Sequence, residues 1–426
     1  MTRPSNTGDS PAPDDAPVPD ADVVCLGESL VTFLPRLPGR LADVPSFDRA
    51  IGGAESNVAC TLARTGHSTR WISRVGTDGF GDHLLAAIAD CGVDVGHVRR
   101  DPLRPTGVYF RTAGDRATDT HEVAYYRAGS AASAMTAADL DPAALHTGRI
   151  LHLSGITAAL SADCLGLLRE LTTRRPGRPL LSFDVNYRPE LWRDPAQARV
   201  LLELARGADL VFVGDDEARD AWGLDGPRAI REALPEAHTV VVKQGRAGAT
   251  VFRRTREPRG LTRKPGGRTG EPGGRRDAAT ATGGATATDT ATFVPALRVD
   301  LVAATGAGDA FAAGFLSATL RGLPDRTRLR YGHLWAAALT VPGDLATPPS
   351  RPCADRLAAL ADPAWERLHL APGWTDADPE GDPDSDTSGQ AGRRGGTQPV
   401  NDPRERTIER CAPGDDGAAG RSEVPE

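Results

Sequence analysis

The stretch Thr305-Gly306-Ala307-Gly308-Asp309-Ala310-Phe311-Ala312-Ala313-Gly314-Phe315 lies between a β-branched run that ends near Val302 and an alanine-rich apolar segment. The apolar segment is typical of a buried helix, so the glycines stand at its amino-terminal end. Small residues there leave backbone N–H groups uncovered where the helix macrodipole is positive, which favours an anion. Asp309, in the first helical turn, is stabilised by the same dipole. Such a turn is more often a packing feature than a site, so its function depends on the rest of the chain.

The composition limits the classes of function. The chain has 426 residues, a formal net charge of −7 and a pI near 5.8, which argue against a general nucleic-acid binder or a protein of anionic membranes. Its six cysteines are scattered without a CxxC pair, so reduced thiols fit better than disulfides or structural zinc. The first residues lack the apolar core of a signal peptide, and no apolar run approaches the ~20 residues of a membrane span. We expect a cytoplasmic protein with no nucleic-acid or membrane partner.

Three segments have the composition of disordered chain. They are an N-terminal tail over 1–21, a low-complexity insertion over 254–291 and a C-terminal tail over 371–426. An RNA-binding role for the basic part of the insertion is disfavoured, because no aromatic residues are interleaved with its arginines. The remainder, 22–370, is long enough for one large domain.

Strands and helices alternate along this predicted domain. The runs with strand character are 23–26, 69–75, 150–153, 180–185, 210–213 and 240–243. Helical patterns such as 162–172 lie between them, another covers 329–341, and a small hairpin joins 249–252 to 293–297. Repeated βα units predict a mostly parallel sheet between two helical layers, with ligands at the carboxyl ends of the strands. Extended segments within about 31–51 and 106–128 interrupt the alternation and predict an accessory sheet.

Common nucleotide-binding and hydrolase motifs are missing from the sequence. There is no G-x-x-x-x-G-K-[ST], no G-x-G-x-x-G after the first strand, no G-x-S-x-G and no H-E-x-x-H. The glycine turns that are present follow another pattern. An early Gly52-Gly53…Asn57-Val58-Ala59 precedes Gly76-x-Asp78-x-x-Gly81, and the late Thr305–Phe311 stretch contains G-A-G-D. In this order the motifs resemble the PfkB/ribokinase family of carbohydrate kinases over about 22–361.

The resemblance implies a ribokinase-like fold, a three-layer α/β/α domain with a mostly parallel central sheet and a small β-sheet lid. It also implies phosphoryl transfer from ATP to a sugar, with the accessory sheet closing over the acceptor. Asp309 would take the proton from the sugar hydroxyl, and the amides of Gly306, Ala307 and Gly308 would hold the transferring phosphate. The residues expected to contact ATP are Asn186, Arg188, Lys243, Gly245, Gly248, Gly306 and Gly308.

Three local matches narrow the acceptor. Gly53-Ala54-Glu55-Ser56-Asn57, Tyr125-Tyr126-Arg127 and Asp184-Val185-Asn186-Tyr187-Arg188-Pro189 look like the 2-keto-3-deoxygluconate kinases of this family, which act on a sugar acid. Arginine guanidinium groups suit the carboxylate of such a substrate. The match implies phosphorylation of the terminal C6 hydroxyl. The expected substrate contacts are Gly53, Ala54, Glu55, Asn57, Tyr109, Tyr125, Arg127 and Arg188. Glu55 is equally consistent with an ordinary first-turn helix residue. Tyr125 is less consistent with a core position, and Arg188 with a surface ion-pair partner, than with a ligand contact.

The chain departs from the family at two places. Ala303-Ala304-Thr305 replaces the usual Asp-Thr-Thr, which leaves monovalent-cation activation and full catalytic rate open. The family's N-x-x-E magnesium motif appears as Gly214-Asp215-Asp216-Glu217, so Glu217 is the expected ligand of Mg²⁺, with Asp215 or Asp216 as substitutes for the missing asparagine. The alternatives are a kinase for another sugar, such as fructose or ribose, and a catalytically weakened sugar- or nucleotide-binding protein. A homodimer through the exposed lid sheet is a further expectation.

Overall fold

The computed structural model describes residues 20–37, 39–112, 122–192, 194–255, 288–299, 306–338, 347–371 and 374–376, which belong to one compact unit. Its strands, in chain order, are β1 Ala21–Leu26, β2 Leu30–Pro35, β3 Phe47–Gly52, β4 Thr69–Ile72, β5 Arg74–Gly76, β6 Arg99–Asp101, β7 Val108–Arg111, β8 Val123–Tyr126, β9 Gly148–Ser154, β10 Leu180–Asp184, β11 Leu210–Gly214, β12 Thr239–Lys243, β13 Gly248–Thr255, β14 Thr288–Pro295, β15 Arg298–Val299 and β16 His369–Leu370.

The α-helices of the described residues are α1 Ala54–Arg64, α2 Gly79–Ala89, α3 Pro142–His146, α4 Gly155–Leu160, α5 Ala162–Thr172, α6 Val200–Gly207, α7 Asp215–Trp222, α8 Gly226–Ala233, α9 Ala307–Leu320, α10 Asp325–Ala337, α11 Arg351–Ala358 and α12 Asp362–Arg367. Within this part of the chain, no helix is both long and apolar enough to cross a membrane.

The central sheet has the strand order β14-β13-β12-β11-β10-β9-β1-β4. The strands from β4 to β12 pair in parallel, and β13 and β14 add an antiparallel edge. The order reverses at β1, which lies between β4 and the later strand β9. Such a reversal opens a crevice at the carboxyl ends of the strands, where ligands bind in sheets of this type. The turns after β1, β10 and β12 meet at that edge.

Side chains that alternate along the strands build a core on each face of the sheet. Val23 and Cys25 of β1 pack into one core with α1, α2, α9 and α10, whereas Val24 and Leu26 pack into the other with α5, α6, α7 and α8. All four side chains are fully buried, and each burial of an aliphatic side chain is worth about 1.5–3 kcal/mol. The predicted three-layer α/β/α fold is therefore confirmed.

A second sheet with the order β3-β2-β7-β8 forms the lid that the sequence predicted. β2 pairs with β3 antiparallel and with β7 in parallel, and β8 closes the sheet antiparallel to β7. Phe33 of β2 stacks on Phe110 of β7 with ring centroids 4.8 Å apart, and Phe47 of β3 contacts the same ring edge-on. β2 begins only a few residues after β1 ends, so the lid starts at the carboxyl edge of the central sheet.

Several boundaries differ from the prediction. The strand predicted over 69–75 divides into β4 and β5, because Arg74 forms an ion pair with Asp101 at 2.8 Å and β5 joins β6. The predicted hairpin is the β13–β14 edge, which extends into both ends of the predicted insertion; residues 256–287 lie outside the description. The helix predicted over 329–341 is α10, four residues earlier, and 339–341 are not described. β1 starts at Ala21, inside the predicted N-terminal tail, whose residues 1–19 are not described.

The start of the predicted C-terminal tail is attached to the domain. Trp374 donates a hydrogen bond from Nε1 to the carbonyl oxygen of Ala337, at 3.2 Å. The indole of Trp374 is half-buried and its N–H bonds the end of α10, so this residue continues the packing of that helix. Residues 377–426 lie outside the described part of the chain.

Candidate active site

Helix α9 begins immediately after Gly306. Gly306 has φ 81°, a left-handed conformation that L side chains rarely adopt, so a glycine is needed at this position. A Cβ added to Gly308 would lie 3.5 Å from Nζ of Lys243, which places the ammonium group beside the first turn. The uncovered N–H groups of Ala307 and Gly308, the positive end of the helix dipole and the ammonium group converge there. This end of α9 suits a phosphate group.

Asp309 joins the two glycine motifs. It is 9% exposed, and its Oδ2 accepts a hydrogen bond of 2.8 Å from Nδ2 of Asn57. Asn57 lies near the start of α1, which can approach β1 closely because a Cβ on Gly53 would overlap the carbonyl oxygen of Glu28. The Oδ1 atom of Asn57 is buried and has no hydrogen-bond partner among the described residues. An unsatisfied amide oxygen beside a carboxylate is a candidate acceptor for a ligand hydroxyl.

The surroundings of Asp309 make its carboxyl group a weaker acid. Burial raises its pKa to about 7, and the nearby charge of Asp184 adds to the rise. The hydrogen bond from Asn57 opposes this shift, as do the positive charges of Arg188 and Lys243. A carboxyl group with a pKa near the working pH can accept a proton in a reaction and release it afterwards. Asp309 is therefore suited to general-base catalysis.

Asp184 and Lys243 form an ion pair at the carboxyl ends of two strands. Asp184 ends β10, Lys243 ends β12, and Nζ lies 3.1 and 3.2 Å from the two carboxylate oxygens. Burial favours neutral Lys243, but the charges of Asp184 and Glu217 outweigh this effect and raise the pKa of the ammonium group. Lys243 therefore carries a fixed positive charge beside α9.

Asn186 and Arg188 extend this edge of the sheet. Asn186 has φ 39°, a rare conformation for a residue other than glycine, and such strain is concentrated at functional sites. Its side chain is buried, and Oδ1 has no hydrogen-bond partner within the described ranges. The Arg188 side chain is 52% exposed and lies 3.7 Å from Oε1 of Glu217. Both side chains therefore have polar groups that can contact a ligand in the crevice.

Glu217 occupies the first turn of α7. Its Oε2 accepts a hydrogen bond of 2.7 Å from the N–H of Gly214, and its side chain is 12% exposed. Burial raises the pKa of Glu217, Lys243 lowers it and Asp184 raises it. No group of three or more His, Cys, Asp or Glu side chains that could hold a metal ion occurs among the described residues. Protein ligands alone do not form a metal cage at Glu217.

The lid places aromatic and basic groups above the crevice. Tyr109 of β7 is buried and stacks on Tyr125 of β8 with centroids 5.4 Å apart, while Tyr125 is 46% exposed. The guanidinium group of Arg127 lies over the Tyr125 ring and forms an ion pair with Glu28. Glu28 also accepts a hydrogen bond of 2.9 Å from Oγ of Ser130. Arg127 is therefore already held by a carboxylate of the protein.

Glu55 lies beneath the crevice floor. Its side chain is 1% exposed, its Oε1 accepts a hydrogen bond of 2.7 Å from Thr157, and a Cβ on Gly27 would overlap its carboxyl group. Burial raises its pKa to about 8. The neighbouring Ala54 is also buried. This burial fits the alternative that Glu55 is an ordinary first-turn helix residue. Its contact with the substrate stays a prediction.

The turn between β12 and β13 carries the two remaining predicted nucleotide contacts. Gly245 and Gly248 both have positive φ, and the N–H of Gln244 donates to the carbonyl oxygen of Gly248 at 2.8 Å. The tight turn leaves backbone exposed directly after Lys243. It lies at the same edge of the sheet as α9, because β12 is a parallel strand of that sheet.

Sequence reasoning missed two residues at this edge. Asp184 was quoted within its motif but given no role, and Glu28 was not singled out. Each stands at or just after the carboxyl end of a buried strand, where a charged residue is costly without a partner. A charged residue at the carboxyl end of an apolar run is visible in the sequence and could have indicated both residues. Their partners, Lys243 and Arg127, are 59 and 99 residues away respectively, and no local pattern pairs them.

The chain is similar to known carbohydrate kinases in sequence and in fold. The model of the pfkB family carbohydrate kinases matches residues 20–262 and 274–350. A 2-dehydro-3-deoxygluconokinase of Bacillus subtilis is 33% identical over 337 residues, which cover 78% of this chain and 93% of that protein. Fructokinase-1 of Oryza sativa is 31% identical over 69% of this chain and 81% of its own length. The crystal structure of a PfkB protein from Polaromonas superposes with a TM-score of 0.62 at 32% identity, over 80% of this chain and all of that one.

Proposed function

The chain belongs to the PfkB family of carbohydrate kinases. From this we propose that it transfers the γ-phosphoryl group of ATP to the terminal C6 hydroxyl of a sugar acid, and that this acid is 2-keto-3-deoxygluconate. The observation that carries the proposal is the hydrogen bond between Asn57 and Asp309 beside the amino terminus of α9. It joins a proton acceptor to an anion-binding helix end, which are the two groups that phosphoryl transfer to an alcohol requires.

The chemistry follows from the positions of these groups. Asp309 accepts the proton of the sugar hydroxyl as its oxygen attacks the γ-phosphorus and the bond to the ADP oxygen breaks. The N–H groups of Gly306, Ala307 and Gly308 and the ammonium group of Lys243 stabilise the charge on the transferring phosphoryl group. Positioning and charge stabilisation supply most of the catalysis in such reactions. Asp184 keeps Lys243 charged and directed, at 3.1 Å.

We assign Asn186, Arg188, Gly245 and Gly248 to the nucleotide side of the crevice. The strained backbone of Asn186 and the exposed guanidinium group of Arg188 support this assignment. Mg²⁺ is commonly held by one or two carboxylates together with substrate phosphates, so a single carboxylate such as Glu217 fits it. The ion would supply further neutralisation of phosphate charge.

The acid acceptor is supported by the deoxygluconokinase relative and by the arginines at the crevice. Nη1 of Arg188 contacts Glu217 and the carbonyl oxygen of Tyr187, and the other N–H groups of this half-exposed side chain would donate to the substrate carboxylate. Tyr109 and Tyr125 would cover the carbon chain. Gly53 and Asn57 stand at the start of α1, where the acceptor hydroxyl must meet Asp309. Release of Arg127 from Glu28 would be required for a second carboxylate contact.

One observation favours a neutral acceptor, such as fructose or ribose. Arg127, the lid arginine expected to bind a substrate carboxylate, is paired with Glu28. A guanidinium group that is already neutralised gives little selectivity for an acid. The fructokinase relative supports the same alternative. A weakened binding protein remains the third reading, and it depends on Ala303 and Ala304, which lie outside the described residues.

An acceptor panel separates these functions. ADP formation is measured with ATP and 2-keto-3-deoxygluconate, fructose or ribose, for the native protein, Asp309→Asn and the control Asp163→Asn. Asp163 is also a first-turn carboxylate, on the surface helix α5. We expect turnover with the sugar acid that is lost only in Asp309→Asn. Faster turnover with a neutral sugar selects the alternative, and binding without turnover in all three proteins contradicts a kinase.

We further propose that two copies associate through the lid in the cytoplasm. β8 is an edge strand of the lid sheet, and its Tyr126 is 66% exposed. The five cysteines within the described ranges are free, as in a reducing compartment. Sedimentation should show a dimer that Tyr126→Ser weakens and that Leu103→Ser, a change at a 91% exposed leucine outside the lid strands, leaves intact. A monomeric native protein would exclude this assembly.

A further inference from the structure

A second cleft lies at the opposite edge of the central sheet. Its volume is about 800 Å³, which falls within the range of about 300–1,000 Å³ typical of sites for small molecules. The loop between α5 and β10 forms one side of the cleft, and the amino ends of β10, β11 and β12 form its base. Phe315 and Thr319 of α9 and Arg328 of α10 complete the lining.

This cleft is separate from the candidate active site. Thr239 lines it at one end of β12, whereas Lys243 is at the other end, about 13 Å away for a strand of this length. Along α9, Thr319 is twelve residues from Ala307, or about 18 Å. None of the groups assigned to phosphoryl transfer lines the second cleft.

Arginines dominate the charge of the lining. Five of them contribute to it: Arg174, Arg175, Arg178, Arg253 and Arg328.

Three carboxylates are their only acidic partners within the described residues. Asp209 pairs with Arg174 and Arg178, at 3.0 and 2.9 Å, and Glu170 lies 3.5 Å from Arg175. Asp325 is shared by the remaining two arginines, Arg253 and Arg328. The guanidinium groups therefore outnumber their partners by two, and a cleft with one excess sign of charge concentrates ligands of the other sign.

In two of these guanidinium groups, an N–H donor or the positive charge is not fully balanced by the protein. Nη1 of Arg178 is buried and has no hydrogen-bond partner among the residues that the structure describes. Burial lowers the pKa of Arg328, and the positive charge of Arg253 lowers it further. The side chains of Arg178 and Arg328 are each 12% exposed, so water screens them little. An anion that contacts Nη1 of Arg178 and the guanidinium group of Arg328 would relieve both conditions.

We propose that this cleft binds a metabolite that carries two or more phosphate groups. Guanidinium groups bind phosphate oxygens through paired N–H donors, and several of them around one cleft favour a multiply charged ligand over a single carboxylate. Leu180, which is 39% exposed, adds an apolar wall with the buried Leu210 and Phe315 behind it, and this surface suits the carbon body of an organic phosphate. This ligand is additional to the ATP of the proposed function and does not depend on the sugar acceptor.

The test measures binding to the full chain by calorimetry, with the active site saturated by a non-hydrolysable ATP analogue. The probes are pyrophosphate and a hexose bisphosphate. We expect one further site per chain, with an affinity that falls as salt is added. Tighter binding of the hexose bisphosphate identifies an organic ligand against the apolar wall, and tighter binding of pyrophosphate identifies an inorganic polyphosphate. Either outcome supports the phosphate chemistry.

Variants locate the site. Arg328→Gln and Arg175→Gln should each weaken binding by about tenfold or more, because each removes a charge-assisted contact. Arg175 is 58% exposed, so its replacement leaves folding intact even if Arg328→Gln does not. Arg326→Gln is the matched control, since Arg326 is on the same helix and pairs with Asp362 outside the cleft. Absence of the second site in the native protein, or equal affinity in all four proteins, would overturn the proposal, whereas loss of kinase turnover alone would not.

Discussion

Two buried carboxyl groups at the same edge of the sheet have different surroundings. Asp309 is 9% exposed and accepts a hydrogen bond from the neutral amide of Asn57, and its pKa is raised to about 7. Glu28 is 2% exposed and is paired with the guanidinium group of Arg127. Burial raises the pKa of Glu28 as well, but Arg127 and Ser130 oppose the rise.

The difference separates a reactive group from a structural one. A buried carboxyl group that contacts only a neutral amide keeps the raised pKa that burial causes, so it can exchange a proton near neutral pH. A guanidinium group opposes the effect of burial on the carboxyl group that it contacts, and the pairing of Glu28 with Arg127 fixes the two chain segments that carry them. From this comparison we propose that Asp309 performs the chemistry, and that Glu28 holds the lid residue Arg127 beside the carboxyl end of β1. Five predictions test it.

The largest expected effect is on turnover in Asp309→Asn. Asparagine keeps the shape and the contact with Asn57 but cannot accept a proton, so kcat should fall by ~10²–10⁴-fold. KM for the sugar should change little, because the amide still hydrogen-bonds a hydroxyl. The measurement is steady-state ADP release, and Asp163→Asn should match the native protein. A fall in kcat below tenfold would remove Asp309 from the role of base.

The second effect concerns stability in Arg127→Met. Methionine retains the length of the side chain but leaves the buried Glu28 without its cation, which should lower the free energy of unfolding by roughly 3–5 kcal/mol. Urea denaturation measures the change. The double variant Glu28→Gln/Arg127→Met should recover at least half of the loss, since no buried charge is left unpaired. A single variant as stable as the native protein would show that this pair is not structural.

The same variant sharpens the identity of the acceptor. If Arg127 only holds Glu28, its loss should reduce use of a sugar acid and of a neutral sugar by similar factors. If it also reaches the substrate carboxylate, kcat/KM for the acid should fall by at least tenfold more than for fructose. The ratio of the two specificity constants decides between these roles, and Arg188→Met provides the comparison for the exposed arginine.

The third effect is a gain of stability in Asp309→Asn. Folded Asp309 has a pKa of about 7, against 3.8 as its ordinary value, so between these pH values the folded protein holds a proton that the unfolded chain has lost. The free energy of unfolding therefore falls as pH rises through this window. Asp309→Asn has no carboxyl group to ionise at this position. Its free energy of unfolding should therefore exceed that of the native protein by near zero at pH 4 and by roughly 2–4 kcal/mol at pH 8. Equal stability of both proteins at pH 8, measured in urea, would contradict a raised pKa.

The architecture and the family could be predicted from the sequence because both depend on local patterns. Alternating apolar runs and glycine turns are local patterns, and the parallel sheet, the lid and the position of the α9 end follow from them. The predicted ATP-dependent carbohydrate kinase is confirmed by the family match. Asp309 and Asn57 could be named as site residues because each lies within a recognisable motif.

Contacts between distant residues could not be read in the same way. The guanidinium group of Arg127, which the sequence assigned to the substrate, is paired with Glu28. Lys243 was expected as part of a nucleotide turn, but its ammonium group contacts Asp184 and stands beside Gly308. The burial of Glu55 depends on its contact with Thr157, 102 residues away. Each of these results depends on which strands and helices are neighbours in the fold, and that arrangement is not a local property of the sequence.

The smallest expected effect is a shift of the pH profile in Asn57→Leu. Leucine has a similar size but no N–H donor, so the charged form of Asp309 loses a hydrogen bond and its pKa should rise above 7. The acidic limb of kcat/KM, which reports the base in the free enzyme, should move to higher pH by about one unit. Ser56→Ala is the matched control, because Ser56 is on the same helix and bonds Ser29 and Gly53 instead of Asp309. An acidic limb that stays in place in Asn57→Leu would mean that the amide does not set the basicity of Asp309, and the contrast with Glu28 would then rest on burial alone.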